Sequence, residues 1–311
     1  MARILVTGAG GFIGRALTPA LVRRGHQVVA ALRRVPPPGL GADPDVEYRV
    51  LGDLGAGGEW SGALHGAEVV IHLAQRAHQP PSREILSDEA ALAAGLARDA
   101  RRAGVRRFIY LSSVKAMADV TPPGRALRAD DPPQPEDAYG RAKLACESTL
   151  REVAAATGLE LAIIRPPLVY GPGVAANFRA LVRLAASGLP LPFAAVDNRR
   201  SLVFIDNLVD LIATSATHPA APGHVFLVSD GRDFSTPELV TILARAQGRP
   251  ARLFPVPPQA LAGLCPLPCI GPIISRLTLS LRIDDGPTRA ALGWTPPVSA
   301  ERGLTVTAQS A

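Results

Sequence analysis

The sequence predicts an open α/β fold: a doubly wound parallel sheet with a smaller C-terminal α/β lobe. Three observations carry this. Short β-branched runs alternate with helical stretches through the first half, most of the runs are largely apolar, and the texture changes after Pro166. A strand that is apolar on both faces needs helices on both sides, which βαβ crossovers supply. In chain order the runs predict strands at 3–7, 27–32, 46–51, 69–73, 107–112 and 161–165, and helices at 12–24, 85–103 and 139–157. Beyond Pro166, prolines and glycines punctuate shorter elements, too short to extend the sheet by themselves. Residues 1–166 are therefore expected to form the main domain. Residues 167–311 are expected to form mainly a lobe over the carboxyl edge of the sheet, with some segments returning to the first domain.

Composition narrows the function. With 47% hydrophobic and 19% charged residues the chain can bury enough surface to fold, which excludes disorder. Three cysteines, Cys146, Cys265 and Cys269, are too few for a disulfide framework, and no His/Cys cluster has metal-ligand spacing. A formal charge of +6 favours anionic ligands, but only 5% of residues are aromatic and no basic run carries them. A phosphate-bearing small molecule is expected rather than nucleic acid. The apolar stretch 259–281 contains Pro266, Pro268, Pro272 and Arg276, which argues against a membrane span. No targeting segment is visible ahead of Arg3, so a cytoplasmic location is expected.

The first strand runs into Thr7-Gly8-Ala9-Gly10-Gly11-Phe12-Ile13-Gly14 and then a helix. Gly8 permits a tight turn, Gly11 lets backbone approach a pyrophosphate, and Gly14 allows close helix–strand packing. The N–H groups of the helix start, at Phe12 and Ile13, then face the phosphates. This is a dinucleotide site of the Rossmann kind. At the end of the second strand, where a carboxylate usually bonds the ribose 2′-hydroxyl, the chain has Leu32-Arg33-Arg34. Two guanidiniums there suit a 2′-phosphate, so NADP(H) is expected, with NAD as the alternative.

Tyr139 and Lys143 stand four apart at the start of the long helix, so phenol and ammonium share a face. A nearby cation favours the phenolate of a tyrosine, which can then exchange a proton with a carbinol or carbonyl oxygen. Ser112 and Ser113 end the preceding strand, where a hydroxyl can hold the same oxygen.

GxxGxxG, a strand-end serine and Tyr-x-x-x-Lys, in that order, resemble the extended short-chain dehydrogenase/reductase family, in its nucleotide-sugar branch. The likeness spans nearly the whole chain, to Leu292-Gly293-Trp294-Thr295-Pro296-Pro297. It implies catalytic roles for Ser113, Tyr139 and Lys143. It also implies cofactor contacts for Asp53 and Leu54, for Leu73 and Ala74 after the fourth strand, for Lys143, and for Pro166 in Arg165-Pro166-Pro167-Leu168-Val169-Tyr170-Gly171-Pro172-Gly173. On the substrate side it implies that Asn177 and Arg200 meet a nucleoside diphosphate and that the 189–193 segment, with Leu191 and Phe193, meets the base. Lys115 is a further expected substrate contact. The R-P-G-D segment of many UDP-hexose epimerases is absent, and Arg276 or Arg282 is expected to supply its cation. The family often carries Asn on the helix after the fourth strand; the matching position here falls near Glu89. A homodimer through the helices near 85–103 and 139–157 is expected.

Three reactions share this scaffold. Dehydratases of the family carry Asp-Glu directly after the serine or threonine; Val114-Lys115 stands here, which argues against dehydration. Arg33 and Arg34 tilt the expectation toward NADPH-dependent reduction of a 4-keto group on a nucleotide sugar, most simply a UDP-sugar. A UDP-hexose 4-epimerase is the alternative, and a non-catalytic NADPH-binding regulator the second.

Overall fold

The structure is a computed structural model that describes residues 1–34, 45–52, 60–74, 83–263 and 271–310. Seven strands build the main sheet: β1 (Arg3–Thr7), β2 (Gln27–Leu32), β3 (Val46–Val50), β4 (Val69–His72), β5 (Arg107–Leu111), β6 (Glu160–Arg165) and β9 (Val225–Leu227). Their order is β3-β2-β1-β4-β5-β6-β9, and every neighbouring pair is parallel. The order reverses between β1 and β4, the switch point at which open sheets of this kind bind ligands.

Period-two burial explains the apolar runs. Ile4, Val6, Val28 and Ile71 belong to one core with Leu17 and Leu21 of α1 (Phe12–Arg23) and with α6 (Ile205–Thr217). Leu5, Val29, Val70 and Phe108 belong to the other, under α3 (Arg83–Arg102) and α4 (Ala138–Thr157). The strands inside the sheet thus bury both faces, whereas the edge strand β3 is partly exposed.

The lobe holds a three-stranded sheet, β10-β8-β7, from β7 (Leu168–Tyr170), β8 (Arg200–Phe204) and β10 (Asp233–Phe234). Helices α5 (Ala176–Ala186) and α7 (Thr236–Ala246) pack against one another beside it. One expectation needs correcting. The three residues of β9 extend the main sheet, because β6 offers them a ready edge: Ile163, Ile164 and Arg165 pair with Val225, Phe226 and Leu227. Likewise α6 lies against α1, where Arg24 pairs with Asp210.

Candidate active site

The carboxyl ends of β1, β2, β4, β5 and β6 open onto one edge of the sheet, and the expected residues gather there. After β1, Gly8 adopts φ +71, which L side chains rarely adopt, and a Cβ on it would lie 2.8 Å from the Ala74 nitrogen. A Cβ on Gly14 would lie 2.4 Å from the Gly8 carbonyl oxygen and 2.5 Å from the Ala9 Cα. The loop is a cradle that only glycine leaves open. At the start of α1 there is no side-chain cap and no acidic residue in the first turn. Its N–H groups and positive dipole end thus remain available to an anion. A dinucleotide pyrophosphate fits this donor set: the N–H groups of Phe12 and Ile13 would hold it, while the Gly11 N–H is donated to Gly8 O at 2.9 Å. Gly11 itself has ordinary extended geometry and is exposed, so its backbone conformation does not require glycine.

Arg33 and Arg34 are exposed just past β2, on the same edge. Half-buried Leu73 and Ala74 follow β4, and Ala74 donates its N–H to Thr7 Oγ1 at 3.3 Å. Thr7 Oγ1 also meets His72 Nδ1 at 2.8 Å. Burial, helped by the Lys143 charge, pushes His72 down to about 3, so it is a neutral brace between the two loops. Asp53 and Leu54 lie outside the described residues, as do Cys265 and Cys269.

The two serines at the end of β5 part company. Ser112 is buried and donates to Glu147 Oε1 at 2.6 Å. Glu147, fully buried on α4, also receives two bonds from Arg165 at 2.8 and 2.6 Å and one from Arg151 at 3.0 Å. Burial pushes its carboxyl up, but Arg165 first, then Ser112 and Arg151, hold it below the usual carboxylate range. Ser113 is the half-buried one and caps a 3₁₀ turn, Val114–Ala116. The Val114 N–H reaches the carbonyl of Pro166, at the end of β6, at 2.9 Å.

Across from Ser113, α4 begins at Asp137, whose side chain accepts from the Gly140 N–H at 2.7 Å. Tyr139 sits half-buried in the first turn, and Lys143 Nζ lies 6.0 Å from its ring centroid. Lys143 is 1% exposed; it donates to Leu111 O at 2.9 Å and Tyr110 Oη at 3.1 Å, and stands 4.7 Å from the Tyr110 ring centroid. Burial pushes its ammonium down to about 8, against the pull of Cys146, Glu89 and Glu147. Glu89 therefore stands close enough to act on the lysine, as a carboxylate where the family often has an amide. Tyr110 escaped sequence reading because a tyrosine in a buried strand looks like core.

On the lobe side, Arg200 donates to Leu279 O at 3.1 Å. Burial and the neighbouring Arg276 lower its pKa, and Asp119 raises it. Arg282 is bound to Asp233 at 2.7 Å, whereas among the described residues no ion pair involves Arg276, which is exposed. Asn177 is exposed at the start of α5. Leu191 and Phe193 are buried in the lobe core, contrary to an open apolar slot built from their side chains. The Leu191 backbone is taken up by the neighbouring strand-like segment: Leu191 N–H bonds Arg252 O at 2.8 Å and Phe254 N–H bonds Leu191 O at 3.0 Å. The apolar side chains exposed there are Leu189 and Phe254. Lys115 forms ion pairs with Asp119 and Asp137.

Residues 4–229 match the NAD dependent epimerase/dehydratase family. The chain belongs to that family. Among family relatives, a UDP-glucose 4-epimerase of Vibrio cholerae is 40% identical over 99% of this chain and 94% of its own length. A 2-alkyl-3-oxoalkanoate reductase of Stenotrophomonas maltophilia is 30% identical over 97% of each. The UDP-glucuronic acid 4-epimerase of Bacillus cereus, solved with NAD, shares the fold: TM-score 0.79 at 20% identity, covering 99% of this chain and 96% of that one. Among the described residues no helix is long and apolar enough to cross a membrane, and no group of His, Cys, Asp and Glu could hold a metal ion.

Proposed function

We propose that the chain is a 4-epimerase of a nucleoside-diphosphate hexose, with a UDP-hexose as substrate class. The observation that carries the choice is the full-length 40% identity to a UDP-glucose 4-epimerase, over a site whose geometry suits proton exchange at a carbinol. A nicotinamide dinucleotide held at the Gly8–Gly14 loop would supply reversible hydride acceptance at the sugar C4. Tyr139, as the phenolate that the Lys143 ammonium favours, receives the C4 hydroxyl proton and gives it back, and Ser113 hydrogen-bonds the same oxygen. Arg200 and Arg276 hold the diphosphate. Anchoring the substrate through its diphosphate rather than its hexose leaves the ring free to turn, which an epimerase needs.

A second reading, reduction of a 4-keto nucleotide sugar with NADPH, is favoured by Arg33 and Arg34. Both are exposed where an NAD enzyme usually presents a carboxylate. One experiment separates the two. Purified protein is given UDP-glucose or UDP-galactose without added cofactor, and separately a UDP-4-keto sugar with NADPH. Interconversion in the first arm supports the epimerase. NADPH consumption in the second arm with none in the first selects the reductase, and no conversion in either sinks both.

A further inference from the structure

Ser113 and Tyr139 must address one substrate oxygen, yet they stand on different elements, a strand end and a helix start. What links those elements is a pair of side chains assigned to neither. Lys115 lies in the 3₁₀ turn, and its N–H donates to Ser113 Oγ at 3.2 Å. Its ammonium reaches across to Asp137 Oδ2 at 2.5 Å and is steadied by Asp119 Oδ1 at 2.6 Å. Asp137 is the N-cap of α4, and its other oxygen accepts the Gly140 N–H at 2.7 Å. One carboxylate thus grips the turn that carries the serine and the first helical turn that carries the tyrosine. The backbones are already in contact: a Cβ on Gly140 would lie 2.2 Å from the Lys115 carbonyl oxygen. Burial works against the Lys115 charge, but Asp119 and Asp137 outweigh it and raise its pKa.

We propose that Lys115 and Asp137 form a strut that sets the spacing of Ser113 and Tyr139, which makes both of them positioning residues. The strut rests on the catalytic roles given above to Ser113 and Tyr139, and holds for epimerase and reductase alike.

The test uses Lys115→Met, Lys115→Arg, Asp137→Asn and the Lys115→Met/Asp137→Asn double variant. Asn caps a helix as well as Asp does, so Asp137→Asn removes the ion pair and keeps the cap. Each disruptive single variant is expected to lower kcat about ten- to a hundredfold, the order lost by small misplacements of reacting groups. The double variant should lose no more than the worse single, because both break one link. KM and the calorimetric UDP affinity should stay within about twofold, and Lys115→Arg should recover most of kcat. A readout independent of turnover is amide hydrogen exchange: in Asp137→Asn, exchange at residues 115–117, on the other element, should quicken about tenfold.

Three results would overturn the strut. Weakened UDP binding in Lys115→Met with Asp137→Asn silent would make Lys115 a substrate contact. Additive losses in the double variant would mean two unrelated roles. Wild-type kcat and exchange in both singles would leave a surface ion pair with no consequence. Tyr139→Phe is the control that separates the layers: normal turnover there removes the catalytic reading and the strut with it. Lost turnover there beside unimpaired strut variants removes the strut alone.

Discussion

Lys143 is the residue on which the proposed chemistry turns, because it is almost wholly buried and yet must carry charge. Its pKa of about 8 sets an expectation. Below that value the ammonium is present and keeps the Tyr139 phenol acidic; above it the lysine is neutral and that help is gone. Turnover should therefore fall as pH rises through about 8, read from kcat across a pH series. Tyr139→Phe should lower kcat by about 10²–10⁴ with cofactor affinity nearly unchanged, since one hydroxyl is lost and no packing. Cofactor titration with near-equal kcat in the variant would sink the assignment. Tyr139, Lys143 and the serine pair were legible in the sequence because the four-residue spacing and the strand end are local signals. The resemblance singled out Ser113, but the physical reason was not legible: Glu147, a residue of another element, takes up the Ser112 hydroxyl. The partners of Lys115 were equally invisible, since Asp137 meets it only after the chain has looped back.

Helix α4 shows how one element serves several ends. Tyr139, Lys143 and Glu147 follow at intervals of four and so share a face. The first two carry the proposed chemistry, and the third anchors the ends of β5 and β6 through Ser112 and Arg165. Glu147→Gln leaves Arg165 buried without its counter-charge, and should cost about 3–5 kcal/mol in urea unfolding. The sign with pH follows from the lowered carboxyl. Its contribution is full above the ordinary carboxylate range and fades as pH falls through the depressed native value. Wild type should thus lose stability steeply in acid, and Glu147→Gln less so. At α1, Gly14→Ala sets a Cβ 2.4 Å from a backbone oxygen, and should weaken cofactor binding at least about tenfold by calorimetry while the fold persists. The strands and long helices of the first half were legible to within about two residues, because largely apolar runs admit few alternatives. The short lobe elements carried no such signal.

At the scale of the molecule, two pairs of arginines are proposed as anion sites, Arg33 and Arg34 past a strand of the main sheet and Arg200 and Arg276 on the lobe. They should respond separately. Arg200→Ala and Arg276→Ala are expected to weaken UDP about ten- to a hundredfold and to leave cofactor affinity alone. Arg33→Ala/Arg34→Ala should do the reverse, weakening NADPH and sparing NADH. Equal affinity of the wild type for the two cofactors would remove the reductase reading. Cross-talk between the sites would show that the lobe moves with the sheet. The pairing of Arg200 with Arg276 was half legible: the sequence offered Arg276 and Arg282 as equals in type, and only the fold binds Arg282 to Asp233.

The return of β9 and α6 to the main sheet has a consequence for anyone who would recombine such enzymes. A cut after Pro166 looks natural on paper, yet it strips the edge of β6 and uncovers Leu17 and Leu21 on α1. A fragment ending there should be sticky rather than soluble. The lobe cannot be exchanged as a cassette. A chimera that keeps residues 205–229 with their own N-terminal half, and grafts only the segments on either side, is the one expected to fold. Substrate range in this architecture is therefore rewritten in patches rather than by swapping a module.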